Sequence, residues 1–183
     1  MKRLYYLSPT IDSAEQVSND LHEKGITDWN FHIVSKDEAG LYSHKLHSAT
    51  LFQRTDVVRF VERGLMSGAV LALLFTMPLA YIANFTFNVW VAITFFCIVF
   101  ASWAGFIGGI TQENYRIQSF HEQISQGQYL IMVDVQKQHE ELIRCVMAVR
   151  HPEALIQGKS SIFTNPFAAD DYKLQPVEIK AGQ

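Results

Sequence analysis

Residues 64–112 contain no Asp, Glu, Lys or Arg, a run of 49 positions. A buried core helix rarely sustains more than about 14 such residues, and a membrane span needs about 20. The run is therefore read as two spans and a turn, the first over residues 64–83 and the second over 87–111. All 15 Lys and Arg and all 18 Asp and Glu fall in the flanks, which read as soluble segments. The connection between the spans is too short for a domain, so they form a helical hairpin. Pro78 near the end of the first span and the aromatic residues Tyr81, Phe85, Phe87 and Trp90 place the turn at an interface. Asn84-Phe85-Thr86 matches a glycosylation sequon and is read as a plain turn. Arg54, Arg59 and Arg63 precede the first span and Arg116 follows the second, while the turn has no positive charge. That asymmetry predicts a multi-pass membrane protein with both termini cytoplasmic. The N-terminal apolar run is too short for a signal peptide.

Glycine inside an ordinary helix costs about 1 kcal/mol relative to alanine, yet this run is rich in it. Gly64 and Gly68 make a GxxxG pair, and Ala101, Gly105 and Gly109 make a small-residue row on the second span. In an antiparallel hairpin both rows lie at the same end, so they are expected to face each other as a helix–helix seam. A pore lined by oligomerised hairpins is the alternative, but Ser67, Thr76, Thr94 and Ser102 are the principal polar side chains within the spans.

The flanks share a pattern. The stretch RLYYLS reads as a strand. Asp12 with Glu15 three residues later reads as a capping box before the apolar stripe Ala14, Val17 and Leu21, and Gly25 closes that helix. DWNFHIVS is a second strand, with Phe31 and Ile33 on one face and His32 and Val34 on the other. QYLIMVDVQ, an amphipathic helix and EALIQG follow the hairpin. Two βαβ halves predict an α+β, ferredoxin-like split βαβ cytoplasmic domain interrupted by the two-helix transmembrane hairpin. The divisions are residues 1–54 and 127–158 for the two halves, 55–126 for stalk helices and hairpin, and 159–183 for an extended or disordered tail.

The blocks RLYYLSPTIDSAEQVSNDL, LHSATLFQRTDVVRFVERGLMSG and GQYLIMVDVQKQHEELIRCVMAVRHPEA resemble a family of bacterial membrane proteins related to heat-induced and general-stress proteins. The resemblance covers residues 2–158 and implies βαβ domains interrupted by a Gly-rich membrane hairpin. This chain has fewer glycines in its first span than many relatives, and Gln136 stands where VDVP often appears. The family carries no settled activity.

Sequence motifs offer little chemistry. GFIGGI lies in an apolar helix and follows no strand, so it fails the context for phosphate binding; no P-loop and no GxSxG occurs. No enzyme activity, cofactor or metal centre is assigned, and the net charge of −3 argues against nucleic acid as a partner. His44 and His47, with His32, are the candidate zinc ligands, weighed against a polar linker, which is preferred. Asp134 within an apolar strand is a candidate ligand or a strand-end acid satisfied by backbone amides of the following helix. Asp56, Glu62 and Arg63 read as caps at the membrane entrance. Cys97 and Cys145 have no partner spacing and read as packing residues. The chain as a whole reads as a non-enzymatic interaction or regulatory module in the bilayer, tied to envelope or stress physiology, with an unidentified protein partner. The alternative is a small transporter or channel subunit. The first and third strands are apolar on both faces, so one face needs a cover; a homo-oligomer is the expected source, preferred over stalk helices that leave along the membrane normal and offer only Ile117, Phe120 and Ile124.

Overall fold

The structure is a computed structural model and describes residues 1–161; most of the expected tail lies outside them. The elements in order are β1 (Lys2–Ser8), α1 (Ile11–Glu23), a 3-10 turn (Asp28–Asn30), β2 (Phe31–Val34), α2 (Glu38–Ser43), α3 (Leu51–Arg54), α4 (Val57–Ile82), α5 (Phe87–Ile110), α6 (Tyr115–Gln118), α7 (His121–Ser125), β3 (Tyr129–Val135), α8 (Glu140–Arg150) and β4 (Leu155–Ser161). The described residues form two compact units, one from residues 1–50 and 116–161, the other from Leu51–Tyr115.

The first unit is α+β. Its sheet has the order β2-β3-β1-β4, and every neighbouring pair is antiparallel. Alternation along the strands sends Leu4, Tyr6, Phe31, Ile33, Ile131 and Val133 to one face. There they pack with Ala14, Val17 and Leu21 of α1 and Ile143 and Met147 of α8. Each such side chain removed fully from water contributes about 1.5–3 kcal/mol. The other face, with Tyr5, Leu7, Val34, Leu130 and Met132, is also dry. It is covered by Ile117, Phe120 and Ile124 of the same chain together with Ala49.

The cap of α1 differs from expectation. Thr10, in extended backbone, accepts the Ser13 amide at 3.2 Å, so the helix starts before Asp12, which becomes a first-turn acid. Gly25, at φ +85°, closes the helix as expected. The Ile26 amide bonds the Leu21 carbonyl and the Gly25 amide bonds that of His22, which satisfies two orphan carbonyls. β4 continues through Ser161, three residues past the expected end, because Lys2, Arg3 and Leu4 of β1 pair with Ser161, Ser160 and Lys159.

The second unit is the hairpin α4–α5. Both helices are long and apolar enough to cross a membrane. At about 1.5 Å per residue each exceeds the roughly 30 Å of a hydrocarbon core. Only 17 % and 6 % of their most apolar stretches are buried within the protein, unlike the core helix of a soluble domain. Asn84, at φ +51°, lets the chain turn after α4, which carries Pro78 near its end, and the Phe85 amide bonds the Ala80 carbonyl. Asn tolerates this left-handed conformation better than most residues, which gives the sequon asparagine a backbone role.

A continuous stalk after α5 is not formed. α5 stops at Ile110, and the chain is tied across the base of the hairpin. The Asp56 amide bonds the Gln112 carbonyl at 3.1 Å, the Asn114 amide bonds that of Arg54 at 2.8 Å, and Asn114 Nδ2 bonds that of Gln53 at 3.1 Å. The Arg59 guanidinium stacks 4.5 Å over the Tyr115 ring.

Candidate functional site

The small residues of the hairpin lie where α4 and α5 touch backbone to backbone. A Cβ added at Gly64 would stand 2.6 Å from the Ala101 carbonyl oxygen, and one at Gly68 would stand 2.5 Å from the Ala101 Cβ. One at Gly109 would stand 2.6 Å from the Val57 Cα, and one at Gly105 would run into the Phe60 carbonyl oxygen. Real Cβ atoms do not approach this closely, so the seam depends on the missing side chains. Gly108 faces elsewhere, its nearest neighbour being Phe60 Cδ1 at 3.5 Å. The hydroxyls of the hairpin are used internally. Thr76 and Thr94 bond each other at 2.9 Å in a buried pair, Ser67 donates to the Arg63 carbonyl and Ser102 to that of Ile98.

In the sheet unit, Asp134 of β3 lies directly across from Arg3 of β1. The guanidinium grips the carboxylate with two hydrogen bonds, each 2.6 Å. The partner is thus an arginine on the neighbouring strand, where the sequence pointed to helix amides. Burial works against the Arg3 charge, and Asp134 more than restores it, so the guanidinium is held above its ordinary pKa. Tyr5 shares this face. Its hydroxyl meets Ser160 Oγ at 3.1 Å with Arg116 beside it, and burial still raises its pKa.

His32 projects onto the same face and is 4 % exposed. Its Nδ1 has no hydrogen-bond partner. Burial first, then the neighbouring Arg3 and His47, lowers its pKa, opposed by Asp134 and the Trp29 carbonyl. His47 is exposed and its ring lies 6.3 Å from that of His32. Its segment is fastened to the edge of β2, where the Ile33 amide bonds the His47 carbonyl at 2.9 Å and the Ala49 amide bonds that of Ile33 at 2.8 Å.

His44 does not join them. It caps the C-terminus of α2, and its Nδ1 lies 2.5 Å from Glu15 Oε2 on α1. The three candidate histidines are thereby divided, with His32 and His47 together and His44 set among acids of α1. Asp12, Glu15 and His44 bring one potential ligand atom each to within 4.8 Å of one another. Asp12 and Glu15 were singled out as helix-capping residues, and only the tertiary contact reveals their other neighbour. A second cluster ties α1 to the turn before β4. His151 Nε2 and Arg150 Nη1 both lie 3.1 Å from Asp20 Oδ2, and Ser13 Oγ donates to Glu153 at 2.8 Å.

No family model, no curated protein and no solved structure matches this chain.

Proposed function

We propose that the hairpin spans a bacterial inner membrane and that the sheet unit is a ferredoxin-like cytoplasmic module that binds a partner without catalysis. One observation carries the membrane reading: the large apolar side chains of α4 and α5 face outward from the protein. Phe75, Met77, Phe95 and Phe96 are 72, 61, 67 and 68 % exposed. Each forfeits about 1.5–3 kcal/mol when left in water, a cost that a bilayer removes. The strand order with antiparallel neighbours supports the ferredoxin-like assignment, since a split βαβ pair produces that arrangement. The arginine asymmetry supports cytoplasmic termini.

The internally bonded hydroxyls favour a packed hairpin over a lined pathway, because a conducting route needs polar groups turned outward. A homo-oligomer stays in the proposal on a new footing: Phe96, Phe100 and Trp103 form an exposed aromatic row on α5 to which a second hairpin could pack. The link to envelope stress rests on the sequence resemblance alone.

Two measurements test the reading. Alkaline carbonate should leave the protein in the membrane pellet; release into the supernatant would refute a spanning hairpin. In a Cys97→Ser background, N84C should react with an impermeant thiol reagent in intact cells. The exposed Cys145 should react only after lysis. The opposite pattern would reverse the orientation.

A further inference from the structure

We propose that Asp12, Glu15 and His44 form a binding site for a divalent ion of the zinc class. Their donor set is an imidazole with two carboxylates, drawn from two elements and separated by 29 residues between Glu15 and His44. Neutral imidazole and carboxylate oxygen are zinc ligands at about 2.0–2.2 Å. The three ligand atoms already lie within 4.8 Å of one another, so small side-chain rotations bring them onto one ion.

Two structural facts set these residues apart from an ordinary charged surface. Thr10 takes the cap of α1, so the Asp12 carboxylate is not occupied in capping the helix. Among the described residues no Lys or Arg lies in ion-pair contact with Asp12, Glu15 or Asp37. Asp37 adds a third carboxylate nearby, since Asp37 and Asp12 both act on the Tyr129 hydroxyl. His44 itself is firmly placed. The Lys45 amide bonds the Tyr42 carbonyl and the Leu46 amide that of Leu41, with Lys45 held at φ +55°. A lysine in that conformation is disfavoured by roughly 1–2 kcal/mol, so the turn that sets His44 opposite Glu15 is maintained against backbone preference.

His44 Nδ1 and Glu15 Oε2 already face each other at 2.5 Å. A bound zinc ion would be held by His44 Nδ1, a Glu15 oxygen and an Asp12 oxygen, with water as the fourth ligand.

The test is calorimetric titration of the full-length protein, purified in mild detergent and stripped of metal, with Zn2+. Saturable uptake of one ion per chain is expected. D12N, an exposed change that breaks no hydrogen bond, and H44Q should each weaken binding by about 10-fold or more, while H47Q should not. Circular dichroism confirms that each variant is folded. Absence of saturable uptake, equal affinity in D12N and H44Q, or loss in H47Q with D12N unaffected would each overturn the proposal.

Discussion

Alanine substitution along α5 separates seam from surface with the smallest possible perturbation, a single methyl group. At Gly108 the new Cβ meets only Phe60 Cδ1 at 3.5 Å, an ordinary contact. G108A should therefore be neutral or stabilising by up to about 1 kcal/mol from helix propensity. At Gly109 the nearest atom is the Val57 Cα at 2.6 Å, and an ordinary contact begins at 3.4 Å, so the helices must part by 3.4 − 2.6 = 0.8 Å. A gap of about 0.5–1 Å forfeits a quarter to a half of each contact, itself worth about 0.1–0.2 kcal/mol. Over roughly thirty atom pairs in the adjoining turns that amounts to about 1–3 kcal/mol. After the propensity gain, G109A should destabilise by up to about 2 kcal/mol.

G105A meets the Phe60 carbonyl oxygen and should behave like G109A. The double variant should cost less than the sum of the two, because one separation of the helices relieves both clashes. Thermal unfolding in mild detergent, followed by the fluorescence of Trp90 and Trp103, reads the series. A G108A penalty equal to those of G105A and G109A, or strict additivity of the double variant, would refute the backbone-contact reasoning.

Asp134→Ala should destabilise the sheet unit by about 3–5 kcal/mol, because it leaves the Arg3 guanidinium buried without its carboxylate. Arg3→Met combined with Asp134→Leu should recover most of that loss in chemical denaturation. His32 should make the protein acid-sensitive. Its folded pKa lies below the ordinary 6.5, so the unfolded chain takes up the proton first and stability present above pH 6.5 is lost as pH falls toward the folded value. H32Q should flatten that limb of the stability–pH curve, and an unchanged slope would show that the ring does not govern it.

Local pattern made the seam and the strands legible. Glycines at spacings of three and four within an uncharged run have few uses besides close helix approach, and alternation assigned Phe31 and Ile33 to one face and His32 to the other. Tertiary register was not legible. Asp134 stands across from Arg3 only because β1 and β3 pair with Lys2 opposite Val135, a relation between residues 131 apart that no spacing encodes. The histidines show a local failure with a physical cause. His44 and His47 would share a face if the helix continued, but α2 ends at Ser43 and Lys45 turns left-handed, which sends the two rings to different neighbours. At α1, both TIDS and DSAE carry a cap residue with a partner three positions on. The extended backbone at Thr10, tied by the Ser8 hydroxyl to the Thr10 carbonyl at 3.1 Å, decides for the first.

The expectation of an oligomer began from a sound premise, that a strand pair apolar on both faces needs two covers. A second subunit is needed only if Ile117, Phe120 and Ile124 sit on a stalk helix that runs straight out of the hairpin. That continuity is what the structure lacks. Polar residues at Gln112, Glu113 and Asn114 follow Ile110, and their backbone groups bond across to the chain before α4, so extending α5 would sacrifice those bonds for helical ones of similar worth. Once the helix is interrupted, α6 and α7 are short enough to lie against the sheet. Phe120 then stacks 6.0 Å from Tyr5, and the second core closes within one chain. Removing that cover should therefore be felt in the monomer: F120A should expose the Tyr5 face and lower stability by about 3–5 kcal/mol. A surface used for self-association must then lie elsewhere, on apolar groups that remain outward after both faces of the sheet are dry.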